Sequence, residues 1–198
     1  MDQSHELDHL MEKMVADYIQ HNRAAGVLKA MLDDSGVGFS PVIDHVTIRT
    51  LDIDRAAEPF VKLGYAYDET LHYDDWYAKV YRKTGYPALF VDQAYPDERG
   101  KTSIIPGWVD AFGDKVFHHV AVRVEDIDQA VARLQQKGVV FAGNIVGGSG
   151  GVLRQIFSAP ETVGGKPFSV LELAERYRGY QGFLPPQADS LMKSSAGR

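Results

Sequence analysis

His45 and His119 open the same phrase, written twice: His45-Val46-Thr47-Ile48-Arg49 and His119-Val120-Ala121-Val122-Arg123. Neutral imidazoles bind divalent metals, and a guanidinium fork recognises carboxylates. A carboxylate completes the candidate set: Glu172, flanked by Leu171 and Leu173 in an apolar run. Burying a carboxylate there demands a neutralising partner, and a metal would serve. Two imidazoles and one carboxylate make a facial triad, which leaves positions open on Fe(II) for substrate and dioxygen. Plainer readings stand beside these. A lone strand histidine is more often structural, and Glu172 could face water from a sheet edge.

The spacing extends beyond the histidines. Arg49 and Arg123, Ile53 and Ile127, and Gly64 and Gly138 are also 74 residues apart, so the chain holds an internal duplication. Val42–Thr50 and Val116–Val124 alternate as strands, which puts His45 on the face of Arg49 and His119 on that of Arg123. Asp52–Leu63 and Asp126–Lys137 carry helical spacing and stop at glycine. Tyr65–Leu71, Trp76–Arg82 and Ala88–Asp92 read as the remaining strands of the first copy. Val140–Ile145, Val152–Phe157 and Phe168–Leu173 do the same for the second.

The predicted fold is therefore α+β. Two βαβββ modules, at residues 40–94 and 115–198, form a cupped mixed sheet within a domain at 39–198. Residues 1–38 form a helical arm: Leu7, Leu10, Met11, Met14, Tyr18 and Ile19 mark one amphipathic helix and Ala24–Leu32 a second. Residues 94–114 read as a linker, and Gly147–Gly151 as a hairpin turn rather than a phosphate loop. A short helix is expected at Gln187–Lys193, followed by a fraying end.

Composition narrows the function classes. The chain is 44% hydrophobic and 24% charged, with net charge −6 and scattered lysine and arginine, which argues against a nucleic-acid partner. No apolar run is long enough for a membrane span and the acidic start is no secretory signal, so the cytoplasm is the expected compartment. With no cysteine, disulfides, thiolate metal sites and cysteine nucleophiles are excluded. His5-Glu6-Leu7-Asp8-His9 fits the H-E-x-x-H zinc signature, but among acids it reads better as a solvated helix end. His118 falls on the strand face opposite His119 and is expected to contact a helix or water, while His21 and His72 read as surface. Tyr73, Trp76, Tyr77, Phe90 and Phe157 read as core, or as the lining of an aromatic pocket.

FHHVAVRVEDIDQAVARLQQKGVVF resembles the second-histidine strand and helix of the vicinal oxygen chelate superfamily, and most of all the C-terminal half of the 4-hydroxyphenylpyruvate dioxygenases. GVLRQIFSAP, FSVLELAER and GFLPPQADSLMKS resemble the closing strands and C-terminal helix of those enzymes. IDHVTIRT followed by FVKLGYAY is similar to the 2-oxoadipate dioxygenase/decarboxylase (2-hydroxyglutarate synthase) family. The likeness implies metal ligation by His45, His119 and Glu172, a carboxylate clamp at Arg49, a polar substrate wall at Gln155 and a further matching arginine at Arg176. It implies Fe(II) as the metal, and an oxidoreductase that decarboxylates and hydroxylates a small 2-oxo acid with dioxygen. Arg49 is expected to stand clear of any core ion pair. Asp92 ends the fourth strand of the first copy, at the place Glu172 is expected to take in the second, and in glyoxalase-type relatives that position also donates a ligand. That rival four-ligand site suits an isomerase, lyase or epimerase using Zn, Ni, Co or Mn, but the closing-strand likeness lies wholly in the second copy, so Asp92 is expected to stay off the metal. A metal-free binding protein of the same fold is the third reading, and pairing of chains into a homodimer is compatible with all three.

Overall fold

The structure, a computed structural model, describes residues 3–195. It divides into two units, Met1–Val15 with His45–His118 and Ala16–Asp44 with His119–Arg198. The arm forms α1 (Gln3–His21) and α2 (Arg23–Asp34). Leu7, Met11, Val15 and Tyr18 are the buried stripe of α1, so Val15 belongs to it, while Leu10, Met14 and Ile19 flank it half-buried. Asn22 separates the helices: its side chain caps α2 by accepting from the Ala25 N–H at 2.9 Å.

The first copy of the repeat gives β1 (Ile43–Arg49), α3 (Ile53–Lys62), β2 (Ala66–His72), β3 (Trp76–Arg82) and β4 (Ala88–Ala94). Its strand order is β2-β3-β4-β1. β4 runs parallel to β1 with His45 opposite Ala88, Thr47 opposite Phe90 and Arg49 opposite Asp92. Because side chains alternate, these six residues share one face, and Val46, Ile48, Leu89 and Val91 share the other. The second set is wholly buried, which fixes the register: a slip by one residue would exchange the faces.

The stretch expected to be a linker holds more than loop. A helical turn at Glu98–Thr102 precedes α4 (Ile105–Phe112), which packs against β4 and buries Ile105, Trp108 and Val109. Proline and glycine disguised this helix in the sequence. Pro106 falls in the first turn, where a missing N–H costs nothing, and Gly113 ends the helix at φ 99°.

The second copy gives β5 (Val116–Val124), α5 (Ile127–Gln136), β6 (Phe141–Val146) and β7 (Leu153–Ser158). The small hairpin β8 (Thr162–Val163) and β9 (Lys166–Pro167), β10 (Val170–Arg176) and α6 (Pro185–Ser195) follow. Here the strand order is β5-β10-β7-β6, again with one parallel pair, β5 with β10. The hairpin takes up Lys166 and Pro167, so β10 begins two residues later than the sequence suggests. Gly147–Gly151 turns between the antiparallel β6 and β7, as expected. Leu191 of α6 packs with Phe157 and Val170, and the fraying foreseen after this helix lies outside the described residues.

The duplication is physical as well as textual. Asp52 and Asp126 occupy the same place, each accepting a backbone N–H three residues on, at 3.0 Å from Arg55 and 2.9 Å from Gln129. Gly64 and Gly138 end the two helices at φ 98° and 83°, a conformation that strains any residue with a Cβ. The fold is α+β, two βαβββ modules carrying mixed strands. Among the described residues no helix is long and apolar enough to cross a membrane.

Candidate metal centre

β5 and β10 run side by side with Val170 opposite His119 and Glu172 opposite Ala121, so His119 and Glu172 are diagonal neighbours on one face. His119 Nε2 stands 3.3 Å from Glu172 Oε2, and both residues are buried. β7 brings Gln155 to the other carboxylate oxygen: Gln155 Nε2 donates to Glu172 Oε1 at 2.6 Å. Phe157, on the same strand, sets its ring 5.1 Å from that of His119 at 51°.

The first copy repeats the aromatic contact. His45 is 3% exposed, and the ring of Phe90 lies 5.1 Å from it at 47°. Each histidine thus leans on a phenylalanine that restricts how its ring can turn. Among the described residues, His45, His119 and Glu172 are a group whose side chains could hold a metal ion.

The donor chemistry fits a divalent metal. Donors at right angles on a shell of about 2.1 Å radius stand about 3 Å apart, close to the spacing of His119 and Glu172. Two nitrogens and one oxygen suit iron, zinc, nickel, cobalt or manganese. Glu172 is only 1% exposed, so its charge would otherwise be held at a large desolvation cost.

Asp92 is not a member of this group among the described residues, and the strand register gives the reason. His45 pairs with Ala88 as His119 pairs with Val170. Two residues further along each strand come Phe90 and Glu172, so Phe90 holds the position equivalent to Glu172 and Asp92 matches Ala174. The expectation that Asp92 occupies the place of Glu172 is therefore corrected. A phenyl ring stands where the four-ligand arrangement needs a carboxylate.

Asp92 faces Arg49 instead. The two are directly opposite across the ladder, both buried, and each feels the other's charge. Burial pushes the Arg49 guanidinium down to about 10, against the pull of Asp92. Burial pushes the Asp92 carboxyl up to about 7, against the charges of Arg49 and His45. Arg49 also lies over the ring of Trp108, 5.2 Å from its centroid. Arg49 thus has an acidic neighbour across the ladder within the core, a proximity that the sequence did not signal. Its repeat partner Arg123 is exposed, so the duplication does not extend to burial at this position.

Other sequence candidates fall outside the group. His5 and His9 are exposed on α1, and no group of potential metal ligands includes them among the described residues. His118 is buried edge-on to Trp108 of α4, a helix contact as expected. His72 is exposed, with Nδ1 2.8 Å from the Tyr95 hydroxyl. Two features were missed: the partnership of Trp108 with Arg49, and the join of Arg176 to Asp44, the residue before His45. Neither has a local signal, since each depends on segments that meet only when folded.

Among curated proteins nothing matches the sequence. Solved structures do match. Hydroxyglutarate synthase from Oryza sativa, in complex with 2-oxoadipate, aligns over 98% of this chain and 93% of its own, with a TM-score of 0.77 and 16% identity. 4-Hydroxymandelate synthase from Streptomyces coelicolor, a triple mutant, aligns over 81% of this chain and 56% of its own, with a TM-score of 0.64 and 18% identity. Methylmalonyl-CoA epimerase from Mycobacterium tuberculosis aligns over 76% of this chain and 93% of its own, with a TM-score of 0.52 and 24% identity. At these identities the likeness is one of fold. Residues 44–153, more than half of the sequence, match the Glyoxalase/Bleomycin resistance protein/Dioxygenase superfamily, and the chain is a member of it.

Proposed function

We propose that the protein is an Fe(II)-dependent dioxygenase acting on a 2-oxo acid, with His45, His119 and Glu172 as the metal ligands. The observation that carries this reading is Phe90 at the position equivalent to Glu172. A family member that isomerises or epimerises through four protein ligands needs a donor there, and a phenyl ring offers none. Three ligands leave room for both oxygens of an oxo acid and for dioxygen. The shared fold of a synthase bound to 2-oxoadipate adds support for a keto-acid substrate.

Bound iron would supply Lewis acidity toward the chelating keto acid and reducing power toward dioxygen. The chain's own residues supply geometry and dryness. His45 and His119 are held by the rings of Phe90 and Phe157, which also exclude water. Arg49, on the strand face of His45, would grip a substrate carboxylate with its guanidinium fork. In the overall reaction the bond between the keto carbon and the carboxylate breaks and carbon dioxide leaves. One oxygen atom enters the new carboxylate, and the other becomes the hydroxyl on the remaining acid.

The test is oxygen uptake by anaerobically purified, Fe(II)-loaded protein with a panel of 2-oxo acids, read beside carbon dioxide release. Equal, substrate-dependent uptake and release are expected. No uptake with any member, together with activity of the Ni- or Co-loaded protein on an epimerisable substrate, would move the assignment to an isomerase or epimerase.

A further inference from the structure

Glu172 has two oxygens, and the fold treats them differently. Oε2 faces His119 Nε2 at 3.3 Å, whereas Oε1 accepts a hydrogen bond from Gln155 Nε2 at 2.6 Å. A carboxylate can only accept, so the amide must present its NH2 here, whichever way it is drawn. Gln155 and Glu172 lie on neighbouring antiparallel strands, with Gln155 opposite Ala174 and Glu172 opposite Phe157. They are therefore diagonal partners on one face. Both are nearly inaccessible to water, at 4% and 1% exposure. No solvent competes for Oε1, and both backbones are fixed by the sheet.

We infer that Gln155 is a positioning residue that keeps Glu172 a one-oxygen ligand. This rests on the proposed metal site and concerns how that site stays open. A glutamate that chelates through both oxygens fills two positions of an octahedral shell; one tied back at Oε1 fills a single position. With His45 and His119, the single-oxygen mode leaves three positions for exogenous ligands, and the chelating mode leaves two. An oxo acid binding through two oxygens needs the third for dioxygen. Gln155 thereby decides whether the same three ligands can support an oxygenase. Its amide is turned toward Glu172, a role distinct from the substrate wall that the resemblance implied.

Gln155→Met keeps length and removes the donor, which makes it the informative variant. The probe is Mn(II), with exchangeable waters counted from line broadening of its electron spin resonance in 17O-enriched water. Three exchangeable waters are expected in the wild-type protein and two in Gln155→Met, with Mn(II) affinity changed by about 10- to 100-fold. A second measurement needs no variant: the carboxylate stretch of 13C-labelled glutamate on metal loading, whose wide splitting marks one-oxygen binding. Wild-type water count and affinity in Gln155→Met, or a narrow chelate splitting in the wild type, overturns the inference. Absence of Mn(II) binding to the wild type would instead defeat the metal site itself, so the two failures are distinguishable.

Discussion

Arg176 grips Asp44 with two prongs, Nε to Oδ1 at 2.7 Å and Nη2 to Oδ2 at 2.8 Å, and both side chains are almost wholly buried. Its third nitrogen donates to the Gly182 carbonyl at 2.7 Å, and the guanidinium lies 4.7 Å from the Phe183 ring centroid. One side chain thus ties the start of β1 to the segment that leads into α6. Removing it would strand the Asp44 charge, and breaking a buried pair in this way costs about 3–5 kcal/mol. Arg176→Ala is expected to lower the denaturation midpoint accordingly, and Arg176→Lys, which keeps the charge but loses the fork, to fall between. A midpoint within experimental error of wild type would mean that the pair contributes nothing.

His119→Ala should abolish tight metal binding, because two remaining ligands hold a divalent ion poorly. Metal content after dialysis reads this directly. Retention of full metal by the folded variant would remove His119 from the site.

Phe90→Glu restores a carboxylate at the position equivalent to Glu172. The variant should keep or strengthen metal binding yet lose oxygen uptake, since a fourth protein ligand takes a position that dioxygen needs. Undiminished uptake by the metal-loaded variant would show that the position does not reach the metal.

Arg49→Lys preserves a cation opposite Asp92 but not the planar fork. If Arg49 grips substrate, KM should rise by about 10- to 100-fold, the worth of one charged hydrogen bond, with kcat nearly unchanged. An unchanged KM with a lower denaturation midpoint would assign Arg49 to Asp92 alone.

Asp92 gives a pH signature. Its carboxyl is pushed up to about 7 by burial, from 3.8. Below the lower value it is protonated whether the chain is folded or not. Between them the unfolded chain releases the proton and the fold retains it, so Asp92 makes stability fall as pH rises through this window. The effect is complete above the folded value. Denaturation of the metal-free protein between about pH 5 and pH 8 should show a steeper decline in wild type than in Asp92→Asn. Parallel curves would mean that Asp92 is ionised in the fold across this range.

The repeat, the secondary elements and the two histidines were legible because their signals are local. Alternation at β1 and β5, the caps at Asp52 and Asp126, and the stops at Gly64 and Gly138 each depend on a few neighbouring residues. The same locality put His45 and His119 on matching strand faces. Helix α4 was concealed because proline and glycine signal loops on average, whereas Pro106 sits in the one turn that tolerates it. What sequence could not determine was register. β4 returns to pair with β1 only after two further strands, and the buried face of Val46, Ile48, Leu89 and Val91 decides which residue stands opposite which. That long-range packing set Phe90 rather than Asp92 in the position of Glu172, set Asp92 opposite Arg49, and brought Gln155 to Glu172 Oε1. Residue types named the chemistry, and tertiary pairing chose the partners, because a hydrogen-bonded ladder joins segments whose separation in the chain carries no spacing signal.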